Sequence, residues 1–236
     1  MRFVPLSIMA LDNSPLQTAI AGDAPVRAVS GERLHSDAML QASRRLDWRF
    51  LLPTPDLRHV AYLGPAHGGL LESLRLFSTA LHIVDSSAGE HTTAGYDVVV
   101  ASDPSFAALQ RAAELIKPGG FLYVEAYGWP GRIRRRLSAG RLHVRGPRLR
   151  SAAGYVAAAR RLGLTEIEAY WHWPNFEACT EIIPLGDPTA LVLALARRRG
   201  AQFALAIGGW LVRSGLLERM APYFSIVARK NANATG

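Results

Sequence analysis

The spacing of apolar residues changes along the chain, and each change marks an element. From residue 1 to 30 no period holds; Pro5, Pro15 and Pro25 with scattered Ser, Asp and Gly predict an extended arm. Glu32 to Arg45 carries Leu34, Met39, Leu40 and Ala42 as the apolar face of a short helix. Trp48, Phe50, Leu51 and Leu52 form an apolar cluster at the edge of the core, closed by Pro53 and Pro55. From His59 the pattern becomes regular. Short apolar runs at His59–Leu63, Ala80–Val84, Asp97–Ala101 and Phe121–Glu125 predict four buried strands. Between them, Leu70 to Ser78 (Leu70, Leu71, Leu74, Leu76) and the stretch opened by Asp103-Pro104 (Phe106, Leu109, Ala113, Ile116) repeat at helical spacing. Ser151 to Leu162 predicts a further helix ended by Gly163, and the runs Leu164–Trp173 and Tyr223–Arg229 predict two more strands. Residues 174–222 between these strands read as a helical insertion: Asp187-Pro188 opens one helix, which ends at three arginines and Gly200, and a second spans roughly Gln202 to Met220.

Strands alternating with helices predict an α/β fold: a doubly wound, mostly parallel sheet covered on both faces. The 236 residues suffice for one such domain, taken as 47–236 behind an arm and short helix at 1–46. Nearly half the residues are apolar and 19% are charged, which excludes an intrinsically disordered chain. Cys179 is the one cysteine, so no disulfide framework or cysteine metal site can form, and a reducing compartment is expected. The mildly apolar Met1–Ala10 is too short for a signal peptide, and Phe203–Val212 is far short of a membrane span. A soluble cytoplasmic protein is expected.

Net charge alters the picture more than composition does. The formal value is +8, yet only Lys117 and Lys230 are lysines. Between Ala126 and Thr165 there are ten arginines and no acid, so the excess positive charge belongs to one segment.

The run His59-Val-Ala-Tyr-Leu-Gly-Pro-Ala-His-Gly-Gly69, a second strand ending in Asp85, and Tyr96-Asp-Val-Val-Val-Ala101 followed by Leu115-Ile-Lys-Pro-Gly-Gly-Phe-Leu-Tyr-Val-Glu125 together resemble class I S-adenosylmethionine (SAM)-dependent methyltransferases. The likeness covers roughly residues 47–230. It implies a last strand antiparallel to the others, and SAM as cofactor. Asp47-Trp-Arg-Phe-Leu-Leu-Pro53 also resembles bacterial members associated with surface-glycan and natural-product pathways. From that follows the expectation of a small or glycan-linked methyl acceptor in a biosynthetic pathway.

Gly64, Pro65, Ala66 and Gly68 lie where the first strand turns into a helix, and small residues there let a ligand approach the backbone. Asp85, 21 residues after Gly64, can accept hydrogen bonds from ribose hydroxyls. A dinucleotide fingerprint would have glycine where Ala66 stands, and Pro65 removes an amide that a pyrophosphate would use, which favours SAM over NAD. A tight turn without a ligand is the alternative. The chain departs from the family after Asp85: only residues 86–95 precede Tyr96, too few for the usual third strand and its two helices. The adenine wall is then absent, rebuilt by another segment, or supplied by a partner protein or second copy; Ser86, Ser87, Glu90, His91 and Thr92 are the polar groups left in the shortened stretch.

No catalytic signature stands out. Asp103, Tyr127 and His172, with Glu125, fall at expected strand ends and are candidate bases; Asp103 can equally be a helix cap. The seven histidines have no metal-ligand spacing. Arg132, Arg134, Arg135 and Arg136 follow the fourth strand on the same rim and are candidates for an anionic substrate, or form a solvated basic loop. No nucleic-acid motif accompanies them. Leu211, Val212, Leu216 and Leu217 offer an alternative peripheral membrane contact. Two functions follow: a SAM-dependent methyltransferase, or a non-catalytic methyltransferase-like subunit binding a partner or an anionic ligand.

Overall fold

Seven strands run in the order β2-β1-β3-β4-β7-β5-β6. They are β1 (Leu57–Leu63), β2 (Ser78–Ile83), β3 (Tyr96–Ser102), β4 (Ile116–Tyr127), β5 (Leu164–Trp173), β6 (Glu181–Pro184) and β7 (Tyr223–Lys230). The computed structural model describes residues 27–84, 95–133, 149, 151–197, 214 and 219–232. Outside them lie most of the predicted arm, Asp85 and nearly all of 86–95, Arg134–Arg136, and most of the second insertion helix with its four apolar contact residues. Residues 1–37 and 38–236 form two compact units, and only the start of helix α1 (Arg27–Arg45) is described in the first.

Strands β1 to β4 are parallel, while β7 lies antiparallel between β4 and β5. This is the doubly wound, class I methyltransferase-like arrangement that the sequence implies. β3 pairs directly with β1, Val60 against Val98. The strand absent from the sequence plan is β6, four residues that extend the sheet antiparallel to β5 inside the predicted helical insertion.

Strand alternation divides the core. On one face Val60, Tyr62, Val98, Val100 and Tyr123 meet Leu46, Trp48 and helix α2 (Gly69–Phe77) through Leu70, Leu71 and Leu74. On the other, Ala61, Leu63, Val99, Ala101, Leu122 and Val124 meet helices α3 (Phe106–Leu115) and α4 (Ala152–Arg161). Burying both faces explains the continuous apolar strands. Four residues read as apolar contacts point outward: Leu40, Phe50, Leu76 and Phe106 are exposed. Phe50 instead lies under the Arg49 guanidinium, 5.0 Å from its ring centre.

Helix ends are fixed by side chains. Ser105, not Asp103, caps α3, accepting from the Ala108 amide at 3.2 Å. Lys230 closes the other end of α3, donating to the carbonyls of Ala113, Glu114 and Ile116. Asp187 caps helix α5 (Pro188–Ala196) through the amides of Thr189 and Ala190.

Candidate functional site

From β1 the chain passes to β2 on one side, and β3 lies on the other. The sheet therefore has its switch point between β1 and β3, where open α/β sheets hold ligands at the carboxyl edge. The exposed residues Gly64, Pro65, Ala66, His67, Gly68 and Gly69 occupy this crevice. Register places Leu63 beside Ala101, so Gly64 adjoins Ser102. A Cβ on Gly64 would lie 2.5 Å from Tyr62 Oη and 2.9 Å from Ser102 Cβ, so nothing larger than glycine fits without rearrangement. Gly68 has φ 128°, which side chains rarely adopt, and as N-cap of α2 it supplies no side-chain hydrogen bond. Val84, the residue before Asp85, donates its amide to Tyr62 O at 2.9 Å, which brings the end of β2 to the same edge.

Beneath the loop runs a buried polar row. Ser102 pairs with Glu125 across β3 and β4, and Glu125 with Ser225 across β4 and β7. Arg45, the last residue of α1, covers the row. Its two terminal nitrogens each donate to Glu125 at 2.6 Å, with side-chain exposures of 7% and 3%. Burial alone would lower the Arg45 pKa; the Glu125 carboxylate, by charge and hydrogen bond, outweighs it and raises it. Tyr123 Oη donates to Glu125 at 3.1 Å, and its ring stacks on Trp48 with centroids 3.7 Å apart. Burial pushes the Tyr62 hydroxyl up to about 12, partly offset by its bond with Ser102.

His172 belongs to this row. Its Nε2 is 2.8 Å from Ser225 Oγ and its Nδ1 3.6 Å from Cys179 Sγ. Burial, and then the Arg45 charge, lower its pKa to about 3, so the ring is neutral. Burial also pushes the Cys179 thiol up, and the pair is no thiolate–imidazolium nucleophile. Asp103 lies above the row with φ 47°, its amide donating to Glu125 O at 2.6 Å. Its carboxylate takes a hydrogen bond from Arg132 at 2.9 Å, while Arg132 also donates to the carbonyls of Tyr127 and Leu149. Arg132 thus ties three segments of the rim. Tyr127 meets Phe176 and Tyr223 edge to face.

The edge therefore brings together Gly64, Gly68, Asp103, Glu125, Tyr127, Arg132 and His172. Sequence reasoning missed Arg45 and Glu177. Glu177 follows β5, and its Oε1 stands 3.4 Å from Arg45 Nε. Neither residue lies in a motif; only the fold brings them to the loop. Among the described residues no group of His, Cys, Asp and Glu could hold a metal, and no helix is long and apolar enough to cross a membrane.

No protein-family model and no curated protein matches the chain. Solved structures do resemble it. A SAM-dependent methyltransferase from Thermotoga maritima is 12% identical over 87% of this chain and 97% of its own, with a TM-score of 0.47. One from Archaeoglobus fulgidus is 14% identical over 87% and 100%, at 0.46. Phosphoethanolamine N-methyltransferase 2 of Haemonchus contortus, in complex with phosphomonomethylethanolamine and S-adenosylhomocysteine, is 15% identical over 81% of this chain and 53% of its own, at 0.45. Likenesses this distant carry nothing about cofactor or acceptor, which rest on the residues of the carboxyl edge.

Proposed function

We propose that this chain binds SAM at the carboxyl edge of β1 and β3 and methylates a small or glycan-linked acceptor. The observation that carries the reading is the exposed small-residue loop at the switch point. Gly64 has no room for a Cβ, and Gly68 leaves the first turn of α2 without a capping side chain. Such a loop fits the amino-acid end of SAM, whose carboxylate suits free amides at a helix N-terminus. Asp85 is assigned to the ribose hydroxyls. Bound SAM would supply an electrophilic methyl group on a sulfonium. The chain would contribute orientation, with Tyr127 and Asp103 on the rim facing the acceptor side. Calorimetric titration with SAM and S-adenosylhomocysteine tests this, with Asp85→Ala as control. Binding by the wild type and loss in Asp85→Ala supports it; no heat at millimolar ligand ends it.

A second reading is favoured by a specific observation. Three of the candidate bases at the edge are already engaged: Glu125 with Arg45, Asp103 with Arg132, His172 with Ser225. A non-catalytic subunit that binds a partner protein, or an anion through Arg134, Arg135 and Arg136, would need no free base. Heparin or anionic-liposome retention that falls with salt and is lost in the triple alanine variant, without SAM binding, would select this reading.

A further inference from the structure

We propose that the Glu177 carboxylate is an intramolecular stand-in for the carboxylate of the bound ligand, and that ligand binding displaces it. This rests on the SAM reading and adds a competitor to that site. Three observations meet here. First, Glu177 Oε2 lies 2.9 Å from where a Cβ on Gly69 would be, so the carboxylate rests against the first residue of α2. Gly68 gives that nine-residue helix no side-chain cap, so its positive end favours an anion. Second, Arg45 is buried and spends both terminal nitrogens on Glu125, while its buried Nε makes no hydrogen bond. Nε stands 3.4 Å from Glu177 Oε1, within ion-pair range. A buried donor and a helix N-terminus thus converge where one carboxylate fits. Third, the Glu177 side chain is 69% exposed. Contacts of an exposed carboxylate are weak and easily exchanged, so the present occupant is held far less firmly than Glu125.

Removing the Glu177 charge removes a like charge that a ligand carboxylate must otherwise expel. A ligand lacking that carboxylate has no reason to sense the change.

The test compares wild type and Glu177→Gln, full chain, by calorimetric titration with S-adenosylhomocysteine and with 5′-methylthioadenosine, a nucleoside thioether without the amino-acid end. Melting curves confirm that both proteins fold, as expected for an exposed site. We expect Glu177→Gln to bind S-adenosylhomocysteine about two- to fivefold more tightly, the scale of one charge at a helix N-terminus, with methylthioadenosine unchanged. Equal affinity for S-adenosylhomocysteine, equal gains for both ligands, or weaker binding by the variant overturns the Glu177 proposal and leaves the cofactor reading standing. No heat from S-adenosylhomocysteine in either protein overturns both.

Discussion

Replacing Arg45 with methionine isolates the largest electrostatic commitment in the described structure. Methionine keeps much of the side-chain length but leaves Glu125, 2% exposed, with only the Tyr123 hydroxyl donating to its side chain among the bonds described. Two unit charges about 4 Å apart attract by about 4 kcal/mol at the effective dielectric that suits proteins. Breaking such a buried pair from one side costs about 3–5 kcal/mol, because the stranded charge remains desolvated. Arg45→Met and Glu125→Met should each fall in that range. The double variant should recover most of the loss, since two apolar side chains of similar volume strand no charge; the Tyr123 hydroxyl, left without its acceptor, keeps about 1 kcal/mol of it. Urea unfolding followed by tryptophan fluorescence measures all four proteins, because Trp48 lies against Tyr123 in the same cluster. Single variants that lose under about 1 kcal/mol, or a double variant as unstable as the sum of the singles, would refute the reasoning.

Gly64→Ala should lose about 1–3 kcal/mol, because the added Cβ meets Tyr62 Oη and Ser102 Cβ; a thermal melt unchanged from wild type would contradict the close approach. Lys230→Met should cost about 1 kcal/mol by uncapping the carboxyl end of α3, read as a lowered midpoint in urea. His172 is held neutral in the fold, with a pKa of about 3 against an ordinary 6.5, so the unfolded chain binds its proton first as pH falls. Its stabilising contribution is therefore complete above pH 6.5 and declines below it by about 1.4 kcal/mol per unit. His172→Asn should flatten the pH dependence of unfolding between pH 7 and 5; parallel profiles for the two proteins would refute this.

Much of the sheet was legible because burial on both faces leaves a plain mark. The apolar centres of β1, β3, β4 and β7 stand out, the short connection after Asp85 leaves no room for a full strand between residues 86 and 95 and puts β3 into the sheet of β1, and the antiparallel last strand is what the family resemblance implies. β6 left no such mark. Four residues, Glu181 to Pro184, of which only Ile183 is buried, are too few to show a period, and they pair along the edge that β5 offers. Asp103 before Pro104 resembled a cap, but its backbone turns to φ 47° and its carboxylate goes to Arg132, leaving Ser105 to cap. The candidate site was half legible for a similar reason. The loop 64–69 announces itself through local composition. Arg45 and Glu125, by contrast, are 80 positions apart, and no local pattern links a helix end to a strand end.

The engagement of the polar groups bears on what chemistry this edge can support. A general base needs a group free to accept a proton near neutral pH. His172 is buried and bound to Ser225, Glu125 is locked to Arg45, and Asp103 is paired with Arg132. Recruiting any of them would break a buried or half-buried contact that ties α1, β4, β5 or the rim together. Methyl transfer from a sulfonium does not demand such a base, since holding donor and acceptor in line can supply much of the rate. A rim that invests its charges in rigidity, with an exposed loop above it for a ligand, suits catalysis by positioning better than catalysis by proton transfer. A non-catalytic subunit needs no base either, which is what the engaged groups favour in that reading, and ligand binding at Gly64–Gly69 decides between the two.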